Sequence, residues 1–185
     1  MRPARPAAQQ DDSTPEVLMH PLTEDEIRGA FVNATEQDLR VMALPLGFML
    51  TEWDYLDFFA WRDPHARGRG YLVTERDGKP TAIVLRSGEA SASHGHAALC
   101  NMCHTMQPGD QVTLFSARRA GAAGEAGDAV GTYICTDLSC HENVRLAAPL
   151  TQLEIRPAGS VDARIDGARQ RIDAFIDKVL SVRVP

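Results

Sequence analysis

The spacing of apolar and polar positions divides the chain into a helical opening, a β-rich middle and a helical close. "HPLTEDEIRGAFVNAT" carries a capping-box pattern, Thr23 with Glu26 three residues on, and Leu22 is placed to staple onto Ile27. Ile27, Ala30 and Phe31 then fall on one helical face. "ATEQDLRVMALP" predicts a second short helix that stops near Pro45. "TEWDYLDFFAWRDP" follows, with Trp53, Leu56, Phe59 and Ala60 at helical or turn spacing, ending at Pro64. These three pieces are read as one helical lobe over residues 21–64.

After Pro64 the period shortens. "GYLVTERDGKPTAIVLRS" contains two β-rich runs joined through Asp77-Gly78, a short hairpin signal. "SGEASASHGHAA" reads as a loop of small residues, "QVTLFSARR" as a strand with Val112, Leu114 and Ser116 on one face, and "AGAAGEAGDA" as a flexible loop. "VGTYIC" returns as a strand, and "TDLSCHENVRLAA" reads as a helix capped by Thr136 or Asp137. After a proline-containing connector, Ile165, Ala168, Ile172, Phe175, Ile176 and Val179 mark an amphipathic helix. No internal repeat is visible. The expected fold is α+β: a short N-terminal helical lobe, antiparallel hairpins in a unit over residues 65–150, and a connector with a C-terminal amphipathic helix over 151–185.

Composition narrows the class. The 185 residues are 44% apolar and 24% charged with a formal net charge of −6, the balance of a globular protein without wholesale attraction to nucleic acid. Residues 1–20 hold too little apolar surface to offset ordering entropy and read as a disordered tail with no secretory apolar core. No run approaches a membrane span. A reducing, cytoplasmic setting is therefore expected, in which paired cysteines signal metal or redox chemistry rather than disulfides.

The four cysteines form two groups. "LCNMCHT" holds Cys100 and Cys103, and "GTYICTDLSCHENVR" holds Cys135 and Cys140, so the spacing is C-x2-C, 31 residues, C-x4-C. A C-x2-C turn aims backbone amides at both thiolates, and Cys140 falls in the first turn of the expected helix, where the dipole favours an anion. Four sulfurs close a tetrahedron with no open position, which is structural rather than catalytic zinc. Knuckle, hairpin and ligand-bearing helix is the element order of a treble-clef finger. A thioredoxin-like pair at Cys100 and Cys103 is the weaker rival, because a turn follows where a βαβ context is needed. His104, His141, His94 and His96 lie near the cysteines but are not needed for a complete set, and His20 and His65 read as surface residues.

Arg118 and Arg119 precede a loop with glycines at 121, 124 and 127. Zinc with four thiolates carries about −2, so the arginines either neutralise it or present a basic contact surface whose glycines admit a partner's backbone. Trp61 is expected to pack the helical lobe onto the sheet, and Asp54 and Asp57 to be solvated charges on a helix. No Ser/His/Asp set, carboxylate pair or open metal site is apparent.

From about 22 to 146 the chain resembles the elongation factor G-binding (FBP) family, named for a C-terminal treble-clef zinc finger. The resemblance rests on the order "LTEDEIRGAFVN", "WDYLDFFAWRDP", "YLVTERDGKPTAIVLR", "LCNMCHT", "VTLFSARRAGAAGEAGDAVGTYICTDLSC" and "ENVR". It implies one structural Zn2+ on Cys100, Cys103, Cys135 and Cys140. The fusidic-acid-resistance relatives bind elongation factor G through the finger and help it leave the drug-stalled ribosome. The expectation for this chain is a non-enzymatic adaptor for elongation factor G or another ribosome-associated protein, with contacts from Arg118, Arg119 and the helix after Cys140, Arg145 included. The alternatives are an RNA- or ribosome-binding module using "SARR" and "RGRGY", and a redox or metal-dependent enzyme.

Overall fold

The computed structural model describes residues 19–88, 97–146 and 160–181. Its centre is an antiparallel five-stranded sheet in the order β1-β2-β3-β6-β7, beside a two-stranded ribbon of β4 and β5. The strands are β1 (Phe59–Arg62), β2 (Arg69–Arg76), β3 (Lys79–Ser87), β4 (Ala97–Leu99), β5 (Met106–Pro108), β6 (Val112–Arg118) and β7 (Ala129–Cys135). Five helices accompany them: α1 (Glu24–Gly29), α2 (Glu36–Val41), α3 (Gly121–Glu125), α4 (Cys140–Asn143) and α5 (Ser160–Leu180).

The helix starts follow from their caps. Thr23 and Glu26 form the expected reciprocal box at α1, and Thr35 with Asp38 forms a second at α2. At β2–β3, Asp77 and Gly78 both adopt positive φ, which matches the twist of a two-residue hairpin. The apolar face of α5 is the one its period marks: Ile165, Ala168, Ile172, Phe175, Ile176 and Val179 are all buried.

Several segments depart from their local pattern. "TEWDYLDFFAWRDP" is not a helix: Trp53–Tyr55 forms a single 3-10 turn, and Phe59–Arg62 pairs with β2 as the edge strand of the sheet. Its apolar residues come in a continuous run, which serves a covered strand as well as a helix. The helical face proposed for Phe31 is interrupted after Gly29, and Phe31 instead bridges Ala82 of β3. "AGAAGEAGDA" is not an open loop, since α3 occupies it. The helix after the second cysteine pair starts later than Thr136 or Asp137, with Ser139 at the cap position of α4. On β6, Phe115 and Ala117 are buried while Leu114 is exposed.

One seam divides the sheet. β2 and β3 share eight register pairs and β6 and β7 share seven, whereas β3 and β6 share only Arg86↔Ser116 and Ser87↔Phe115. Residues 30–33 sit where β3 and β6 part, with backbone bonds from Val32 N to Ala82 O and from Ala82 N to Ala30 O. Asn33 completes the repair. Its Nδ2 donates to the Val84 and Arg118 carbonyls at 3.1 and 3.0 Å, and its Oδ1 accepts from Val84 N at 2.7 Å. The side-chain amide thus stands in for a missing peptide group and satisfies buried backbone.

The β1–β3 half is packed by rings. Trp61 stacks on Phe59 at 4.8 Å and lies 4.9 Å from Tyr71, and its Nε1 donates to the Ala43 carbonyl at 2.9 Å. Trp61 therefore joins the N-terminal segment to the sheet, as expected, but from within a strand. The Tyr71 hydroxyl donates to buried Asp63 at 2.7 Å. No helix among the described residues is long and apolar enough to cross a membrane.

Candidate metal centre

Cys100 and Cys103 sit in the turn between β4 and β5, Cys135 ends β7 and Cys140 opens α4. All four are buried, and their sulfurs lie within 4.8 Å of one another. Cys100 and Cys140 Sγ are 3.5 Å apart, and Cys103 and Cys135 Sγ are 3.7 Å apart. These distances exclude disulfides, whose sulfurs stand at about 2.05 Å. A tetrahedron with Zn–S bonds of about 2.3 Å has edges of about 3.8 Å, so the cluster fits zinc closely. No histidine of the described residues joins it, and His94 and His96 lie outside them. His104 holds the knuckle turn through its backbone, at φ 53° with its amide on the Cys100 carbonyl.

Local hydrogen bonds prepare the sulfurs for a cation. The Met102 amide points at Cys100 Sγ from 3.4 Å, Asn143 Nδ2 reaches Cys135 Sγ at 3.4 Å, and Thr105 Oγ1 lies 2.9 Å from Cys103 Sγ. Crowding makes the metal-free thiols titrate unequally. The neighbouring cysteines and Thr105 hold Cys103 far below the usual thiol range. At Cys100 the Cys103 sulfur acts upward, but Cys135 and Cys140 outweigh it and bring the group down to about 7. Cys135 and Cys140 are pushed up, chiefly by Cys100 and then Cys103. A divalent cation bound by all four would deprotonate them together.

The β7–α4 loop is locked from below. Leu138 adopts φ 65° yet is buried, and its Cδ1 occupies the space a Cβ on Gly70 would need, at 2.7 Å. The finger therefore plugs into β2. Asp137 Oδ1 accepts from both the amide and hydroxyl of Ser139, at 3.0 and 2.7 Å, and fixes the approach to Cys140.

The cation beside the knuckle is Arg171 of α5, a residue with no local motif to announce it. Its Nε donates to the Met102 carbonyl at 2.7 Å, and its guanidinium feels burial first and then the charges of Cys103 and Cys100. A Cβ on Gly167 would fall 2.9 Å from Arg171 Nη1, so the mid-helix glycine makes room for that side chain.

The arginines singled out by sequence are dispersed. Arg118 is exposed at the end of β6. Arg119 turns onto its own chain: Nη1 donates to the Lys178 and Ser181 carbonyls and to Ser181 Oγ, which caps the last turn of α5. The nearby glycines serve the same turn, with Gly121 and Gly127 at positive φ and Gly124 packed on the Arg119 carbonyl. Arg145 pairs with Asp57 at 2.7 Å, and Arg169 of α5 reaches the other oxygen of the same carboxylate at 2.7 Å. Asp57 is thus a buried link between the sheet, the finger and α5, where a solvated helix charge was expected.

The family model described as FBP C-terminal treble-clef zinc-finger matches residues 26–179, and the chain belongs to that family. The zinc and the binding-domain class follow from this match together with the four-sulfur geometry. No curated protein and no solved structure matches the chain.

Proposed function

We propose, from family membership and the closed four-sulfur site, that the chain is a non-enzymatic adaptor for elongation factor G or another ribosome-associated protein. The observation that carries this is the site itself. With four cysteines within 4.8 Å, zinc has no position left for substrate or water, so its work is to hold a surface in shape. Cys100, Cys103, Cys135 and Cys140 would hold the ion, and it would supply rigidity to the knuckle, the β6–β7 hairpin and α4.

Arg118 is the natural contact on that platform because it is exposed, whereas Arg119 and Arg145 are engaged within the chain and support the loop and α4 behind the surface. Such an adaptor acts by binding one conformation of its partner more tightly than another and shifting the population toward it. Capture of purified elongation factor G by the zinc-loaded chain tests the reading. Chelator-sensitive capture, weakened at least fivefold by Arg118→Glu at unchanged zinc content, is expected. Absence of capture contradicts the choice of factor. Capture of ribosomal RNA instead, with steep salt dependence, replaces the partner with a nucleic acid.

A further inference from the structure

A second surface lies beyond Cys140, between the segment before β1 and the residues of and after α4. It is a cleft of about 570 Å³, lined by the buried Leu56, Phe59 and Trp61, by Leu50 and Tyr55, and by His141, Glu142 and Arg145. The segment that carries Leu50 and Tyr55 is unusually apolar. Leu46, Met49 and Leu50 are 84–102% exposed, and Tyr55 is 70% exposed, all within ten residues. A chain does not gain by presenting so much large apolar surface to water at one place, so such a patch marks a contact site.

The charges around the cleft say what kind of segment fits. Glu52 and Glu142 line it with exposed carboxylates, and Asp54 is exposed on the same turn as Tyr55. The lining cation, Arg145, is matched to Asp57 at 2.7 Å and bonds the His141 carbonyl at 2.7 Å, so it has little charge to offer a ligand. An apolar cleft with an acidic rim selects an apolar segment flanked by basic residues, and disfavours an acidic one.

We propose that this cleft is a docking site for a protein segment with large apolar side chains flanked by lysine or arginine. The anchors seat on Phe59, Trp61, Leu50 and Tyr55, and the flanking cations meet Glu52 and Glu142. The same structure couples the cleft to the metal, because Arg145 and Glu142 are carried by or follow directly on the helix that begins at Cys140. The proposal rests on the chain being a binding protein and not on which factor it binds.

The test uses the full zinc-loaded chain and a display library of random 12-residue peptides, counter-selected on the double variant Leu50→Gln/Tyr55→Ser. Both substituted residues are exposed, so the variant is expected to keep its zinc and its fold, which zinc quantification and circular dichroism check. Peptides that bind the parent and lose at least tenfold affinity on the variant should carry large apolar residues between lysines or arginines. Glu52→Lys/Glu142→Lys should weaken them at least fivefold and admit acid-flanked peptides. Recovery of no peptide that depends on Leu50 and Tyr55, or of acid-flanked peptides on the parent, overturns the proposal. If removing residues 1–18 raises peptide affinity tenfold, the chain's own tail is the occupant and an external partner is refuted. A concentration-dependent dimer abolished by Leu50→Gln/Tyr55→Ser refutes it in favour of a second copy. No elongation factor enters the experiment, so its outcome is independent of the capture assay above.

Discussion

The two halves of the sheet are held together by different physics. The β1–β3 half is packed by the rings of Phe59, Trp61 and Tyr71, with Phe31 edge-on to Tyr71. The half containing the knuckle, β6–β7 and α4 has short elements: β4 and β5 are three residues each and α4 is four. Elements of that length bury too little to persist by themselves, and four sulfurs add to the apolar residues buried beside them, Phe115, Ile134, Leu138 and Val144. The lesson is that a metal sets order only as far as its ligands reach. The seam at β3–β6 is where that reach ends; Asn33 bridges it, and Asp57 ties the residues after α4 to α5.

Removing a ligand should break the comparison most visibly. Cys140→Ser is expected to abolish stoichiometric zinc and the amide-exchange protection of β4, β5 and α4. Structural zinc contributes on the order of 10 kcal/mol in isolated fingers, as much as many domains have in total. Exchange mass spectrometry should still find protection in β2 and β3. Equal loss in both halves would mean that the ring-packed half depends on the metal too.

A smaller effect is expected at the ties. Asp57→Ala leaves the Arg145 and Arg169 charges facing each other without their carboxylate and should cost about 3 kcal/mol, read by urea unfolding. Zinc content should stay at one per chain, since no sulfur is touched. Loss of zinc in this variant would show that α4 is positioned by Asp57 before the metal arrives.

The smallest expected change lies in the first half. Burial acts to raise the Asp38 pKa, but the hydrogen bonds from Thr35 and the charges of Arg86 and Arg69 outweigh it, so the carboxyl is held below its usual range. A depressed native pKa stabilises the fold above the unfolded value, near 4, and that contribution is lost as pH falls through the native value. Thr35→Ala should cost about 1 kcal/mol at neutral pH, and its difference from the parent should shrink in acid. A difference constant down to pH 2 would exclude Asp38 as its source.

What could be read from the sequence divides along the same line. The cysteine spacing pointed to the four sulfurs that the fold brings within 4.8 Å of one another, because zinc chemistry accepts few arrangements, and the face of α5 followed from its period. The strand at Phe59–Arg62 was hidden because a continuous apolar run suits either a helix or a covered strand. Asn33, Asp57 and Arg171 had no local signal at all. Their roles arise from partners 51 or more residues away, such as Val84 for Asn33, Arg145 for Asp57 and Met102 for Arg171. The glycines at 121, 124 and 127 were visible, but their purpose, a tight turn around Arg119, was not.

The central claim is that four sulfurs hold one zinc and that this ion organises the finger. Zinc K-edge absorption spectroscopy on the purified chain, with metal quantified on the same sample, tests it most directly. One zinc per chain with a single shell of four sulfurs at about 2.3 Å is the predicted result. A shell containing nitrogen or oxygen, or a finger folded without zinc, would contradict it.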